Sequence, residues 1–125
     1  IAIAKYLKSC DKVEWVDYPD LEDDKYNRLA KKYLPKGSCG VMAFAVKGGR
    51  EKAVEFMDSL KLITIVTHVA DARTCLLHPA SHTHRQLTDE QLKESGVAPD
   101  LIRLSVGLES VDDLIDDLKQ ALEKI

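Results

Sequence analysis

An α+β sandwich, in which a sheet of about four or five strands is covered by helices, is the fold class this sequence predicts. Runs rich in β-branched residues alternate with segments whose apolar residues recur at helical spacing. The connections between them are short and punctuated by Gly and Pro. Finally, 125 residues, 45% apolar and 31% charged, suffice for one hydrophobic core without disulfides or metal.

The opening "IAIAKYLKSC" reads as helix from its first residue, with no Ser, Thr, Asp or Asn ahead to cap it. That start suggests a chain cut within a helix, so that residues 1–125 form one domain of a larger protein. "KVEWVDY" alternates Val13 and Trp15 against Glu14 and predicts a short strand. "DLEDDKYNRLAKKYL" carries acids at its front and Lys31 and Lys32 at its back, as the helix dipole favours, with Tyr26, Leu29, Ala30 and Tyr33 as its stripe. "SCGVMAFAVKGG", apolar on both faces from Val41 to Val46, predicts a central strand closed by Gly48 and Gly49. "REKAVEFMDSLKL" follows as a helix with Ala53, Val54, Met57 and Leu60 on one side.

"ITIVTHV" and "RTCLLHP" are two further strand candidates, and "LTDEQLKESG" is a short helix with a Thr88-x-x-Gln91 capping box. "LIRLSVG" is the last strand. The final helix begins at Ser110 in a box-like S-x-x-D with Asp113. Its stripe is Val111, Leu114, Ile115, Leu118, Ala121, Leu122 and Ile125, while Asp112, Asp116 and Lys119 face water.

A net charge of -3 argues against nucleic acid as a partner, because phosphate binding needs a basic surface. No apolar run approaches the roughly 18–20 residues of a membrane span, and Lys5 and Lys8 interrupt the only apolar stretch near the start. Cys10, Cys39 and Cys75 are odd in number and widely spaced, a pattern of reduced thiols in a cytoplasmic protein.

Arg103 is the most informative residue. Period-2 alternation puts Ile102, Leu104 and Val106 on one face of the last strand and Leu101, Arg103 and Ser105 on the other. A guanidinium there either pairs with a neighbouring acid or presents its planar fork to a carboxylate or phosphate. "HPASHTH" gathers His78, His82 and His84. Pro79 spoils a helical pair of ligands and no H-E-x-x-H is present, so a polar loop near a site competes with a metal site and is the better reading. His68 ends an apolar run, where a hydrogen-bonded structural histidine is the ordinary outcome. "KGGR" is a tight turn more readily than an anion cradle, and no nucleophile with its base is evident.

The succession "VEWVDYPDLEDDKYNRLAKKYLPKG", "VKGGREKAVEFMDSLKL" and "LLHPASHTHRQLTDEQLKESGVAPDLIRLSVGLE" resembles the C-terminal domain of the pyridoxal-phosphate-dependent enzymes of cysteine and methionine metabolism. Within that family it most resembles the O-acetylhomoserine (O-acetylserine) sulfhydrylases, through "HPAS-x-TH…GV-x-PDLIRLSVG-x-E". The resemblance implies a small domain with a mostly antiparallel sheet, closing over an amino-acid substrate. A large domain of the same chain would hold pyridoxal phosphate and its Schiff-base lysine, so the 125 residues alone would be inactive. It further implies a cytoplasmic homo-tetramer that replaces acetate by sulfide or a thiol, giving homocysteine or methionine.

On the same resemblance Arg103 binds the substrate α-carboxylate. His68, in "HVAD", stands where relatives carry an asparagine or serine near that carboxylate, and Thr83 lies in a segment that approaches the site. Cystathionine synthases and lyases and methionine lyases are neighbouring alternatives, which "HVAD" in place of a serine-glycine pattern disfavours. A stand-alone small-molecule-binding domain and a dimerisation module are rivals of other classes.

Overall fold

A computed structural model describes residues 1–125. Five strands form one mixed sheet in the order β1-β2-β5-β4-β3. They are β1 (Val13–Asp17), β2 (Val41–Val46), β3 (Thr64–Ile65), β4 (Cys75–Leu77) and β5 (Ile102–Ser105). Three of the four pairings are antiparallel, and only β3 and β4 run parallel. The helices are α1 (Ala2–Ser9), α2 (Asn27–Tyr33), α3 (Gly49–Asp58), α4 (Asp89–Glu94) and α5 (Val111–Leu122). The strand count and the α+β class agree with expectation.

The main core lies on one face of the sheet. Met42, Phe44 and Val46 of β2, Ile102 and Leu104 of β5 and Leu76 of β4 meet buried residues of α1, α3 and α5. Phe44 and Phe56 pack edge to face at its centre, ring centroids 5.9 Å apart, a geometry that suits the aromatic quadrupole. The alternate residues Ala43, Arg103, Ser105, Cys75 and Leu77 therefore occupy the opposite face, where register pairs Ala43 with Arg103, Arg103 with Leu77, and Cys75 with Ser105.

Several local expectations are corrected. In β1 the register slips between Val13 and Trp15. Glu14 is thus an extra residue, and Val13 and Trp15 fall on opposite faces rather than one. The helix expected from Asp20 starts only at Asn27, because side chains satisfy the preceding backbone. Asp24 accepts the N–H groups of Tyr18 and Tyr26 (3.2 and 2.8 Å), and the Asn27 amide donates to the Pro19 carbonyl at 2.9 Å. Of the stripe Tyr26, Leu29, Ala30 and Tyr33, only Ala30 is buried; the ammonium groups of Lys25 and Lys32 lie over the two tyrosine rings.

The strand expected over "ITIVTHV" is two residues long. The Thr67 and His68 carbonyls turn to the Arg103 side chain instead of a ladder. The capping box of α4 forms between Thr88 and Gln91. Ser110 makes no capping hydrogen bond and Val111 is exposed, so α5 owes its place to Leu114, Leu118, Ala121 and Leu122.

Candidate functional site

Strand β5 projects Arg103 away from the main core toward the loop between β3 and β4. Its Nη2 donates to the carbonyls of Thr67 (2.9 Å) and His68 (3.1 Å). Nε is buried without a partner, and Nη1 has no hydrogen bond. No acid pairs with it: the ion pairs of the chain involve other residues. Asp17, in the same row of the sheet beyond Ala43, leaves the guanidinium free. Burial and the neighbouring Asp24 push the Asp17 carboxyl above its usual range. A half-buried cation with an unused donor edge is open to a planar anion such as a carboxylate.

The loop that receives Arg103 is held at several points. Ser105 Oγ accepts the Ala70 N–H at 3.0 Å, and the Cys75 thiol donates to the His68 carbonyl at 3.2 Å. Ala70 sits at φ 58°, a left-handed conformation that costs a residue with a Cβ. Farther along, Glu109 takes both the N–H and the hydroxyl of buried Thr74, each at 2.7 Å. Thr74 Oγ1 in turn accepts the Gly107 N–H at 2.8 Å. Burial opposes the Glu109 charge, but the Thr74 hydroxyl and amide outweigh it and hold the carboxyl below its ordinary range. A Cβ at Gly107 would come within 2.4 Å of the Ala72 carbonyl oxygen and 2.5 Å of Arg73 and Thr74 backbone atoms. Only glycine lets β5 and this loop approach so closely.

His68 contributes its carbonyl to Arg103 while its imidazole points elsewhere. The side chain is 59% exposed, and Nδ1–H donates to Asp71 Oδ2 at 3.1 Å, which leaves Nε2 as an acceptor in the neutral ring. Hydrogen bonds from the Arg73 amide and the His68 ring hold the Asp71 carboxyl below its usual range. Thr83 is exposed, and its hydroxyl meets only His84 Nδ1, at 2.9 Å. Arg103 and the His68 backbone are thus brought together, and Thr83 is not joined to them by any hydrogen bond.

The three histidines of "HPASHTH" do not converge. His78 is fully buried: Nε2–H donates to the Pro99 carbonyl (2.9 Å) and Nδ1 accepts from Ser81 (2.7 Å). His82 Nδ1–H donates to the His78 carbonyl at 3.0 Å. Ser105, Thr74 and Glu109 were not legible as a set, since their partners lie about 35 residues away and neither period nor propensity links them.

The fold is thus a small sheet domain in which an arginine unpaired with any acid faces a pinned loop. The chain belongs to the Cys/Met metabolism PLP-dependent enzymes, whose family model matches residues 1–123. It is 48% identical over 122 residues to the homocysteine synthase of Schizosaccharomyces pombe, covering 98% of this chain and 28% of that protein. It is 44% identical over 126 residues to the O-acetyl-L-homoserine sulfhydrylase of Leptospira meyeri, covering 100% of this chain and 28% of that protein.

A solved structure of a putative O-acetylhomoserine (thiol)-lyase from Campylobacter jejuni, containing N'-pyridoxyl-lysine-5'-monophosphate, superposes with a TM-score of 0.89 at 39% identity. That match covers 97% of this chain and 29% of the other. The chain therefore spans 28% of the length of the first two relatives. The family depends on pyridoxal phosphate. Every lysine here is exposed except half-buried Lys52, which pairs with Glu55 at 2.7 Å. No helix is long and apolar enough to cross a membrane.

Proposed function

We propose that this chain is the C-terminal, substrate-binding domain of an O-acetylhomoserine sulfhydrylase, and that Arg103 anchors the α-carboxylate of the amino acid. The observation that carries the reading is the Arg103 guanidinium, half-buried, unpaired with any acid and held by two backbone carbonyls. Those carbonyls orient the cation without neutralising it, which leaves its full charge for an incoming anion. The net reaction breaks the bond between Cγ and the acetyl oxygen and forms a bond from Cγ to sulfur. O-acetylhomoserine and sulfide give homocysteine and acetate; a methyl thiol gives methionine.

The rest of the assembly belongs to the same proposal. A large domain of the same polypeptide supplies pyridoxal phosphate and its lysine, and the whole enzyme is a cytoplasmic homo-tetramer. The 125 residues alone are inactive. The exposed His68 ring, steadied by Asp71, and Thr83 are secondary substrate contacts completed when the domains close. The names of the sulfhydrylase and homocysteine synthase relatives support this reading over a cystathionine or methionine lyase.

The test is Arg103→Ala in the full-length enzyme, assayed with O-acetylhomoserine and sulfide. Removing a charged contact of this kind costs about 3 kcal/mol, so kcat/KM should fall roughly a hundredfold or more while bound cofactor stays visible by absorbance. An unchanged kcat/KM would defeat the carboxylate role. Turnover of cystathionine with no sulfide-dependent homocysteine would reassign the enzyme within its family.

A further inference from the structure

Three side chains on one face of the sheet, Arg103, Ser105 and Cys75, grip backbone groups of a single turn, residues 67–70. Arg103 is the charged member and Cys75 a weak donor. Ser105 differs from both, because it accepts from the one residue whose backbone conformation is strained. The residue is 1% exposed, it stands beside Cys75 in register, and its hydroxyl oxygen takes the Ala70 N–H where φ is 58°. An alanine does not keep that conformation unaided in an exposed loop. If the turn relaxes, the Thr67 and His68 carbonyls leave Nη2, and the guanidinium loses the two acceptors that fix its plane.

We infer that Ser105 is a positioning residue for substrate binding: by holding Ala70 in its left-handed turn it keeps the Thr67 and His68 carbonyls on Arg103, and so aims the free edge of the guanidinium at the substrate carboxylate. The inference rests on the proposed role of Arg103. Ser105 touches no substrate; it acts on orientation alone. Its loss should therefore raise KM for the amino acid more than it lowers kcat, and should leave the response to sulfide unchanged.

The experiment compares full-length holoenzyme carrying Ser105→Ala, Ser105→Thr or Arg103→Ala. Loss of one neutral hydrogen bond predicts a KM for O-acetylhomoserine raised about fivefold to tenfold in Ser105→Ala, with kcat and the KM for sulfide within about twofold. Ser105→Thr, which retains the acceptor, should restore the original KM. An unaltered KM in Ser105→Ala beside a crippled Arg103→Ala overturns this inference and leaves the carboxylate role standing. An Arg103→Ala enzyme as active as the original overturns the reading beneath it. A further measurement needs no variant: the Ala70 amide should exchange with solvent at least tenfold more slowly than its neighbours in the loop. Exchange at the neighbours' rate would sink the proposal whether or not the alanine variant folds.

Discussion

His78 shows how burial decides charge at a single residue. Removed from water, its imidazole is pushed below the ordinary value of 6.5, only partly opposed by the hydrogen bond to the Pro99 carbonyl. A depressed histidine is neutral in both folded and unfolded chains above about pH 6.5 and has no effect there. As pH falls below that value the unfolded chain takes up the proton first, and stability is lost until the folded-state value is passed. The urea midpoint of the protein should therefore decline from pH 7 to pH 5, and His78→Gln should flatten the His78 part of that decline. A wild-type midpoint that does not fall with acid would contradict it. The same residue shows how a motif can mislead, since a histidine cluster in sequence contains one buried, fully bonded ring that serves the loop's shape.

At the scale of elements, α5 does more than cover the sheet. Asp117, 5% exposed on its inner side, accepts the N–H groups of Lys61 (2.8 Å), Leu62 (2.9 Å) and Ile63 (2.8 Å). This carboxylate caps the turn that delivers β3 to the sheet edge, and Gln120 adds bonds to Asp117 and to the Ser59 carbonyl. Replacing Asp117 by Ala strands three donors in a half-buried turn. We expect a loss of about 2–4 kcal/mol in equilibrium unfolding, a range typical of buried charged contacts broken on one side. A loss under about 0.5 kcal/mol would show that water replaces the carboxylate. The amphipathic stripe of α5 foretold its buried face, but an aspartate amid Asp112, Asp113 and Asp116 reads as one more solvated acid.

For the molecule as a whole, the core was largely legible because it follows periodicity. The β2 run, the alternation in β5 and the α5 stripe beyond Val111 bury as their spacing directs. What escaped depends on contacts distant in sequence: the late start of α2, the shortened β3, and the Ser105 and Glu109 anchors. Arg103 was legible in its facing, whereas its partners are backbone carbonyls, which carry no residue signature. Phe44 offers a test of the single shared core. Truncation of this fully buried ring against Phe56 should cost about 3–5 kcal/mol and shift one cooperative transition rather than a part of it. A biphasic unfolding curve would instead divide the sheet into separate units.

The parity of β5 has a practical consequence for anyone redesigning the molecule. Leu104 anchors the interior while its neighbours Arg103 and Ser105 face the loop between β3 and β4 on the other side, so the odd positions can be changed without repacking the even ones. Deleting a single residue from the strand would exchange the two sets, driving a cation into oil and turning leucine toward the loop.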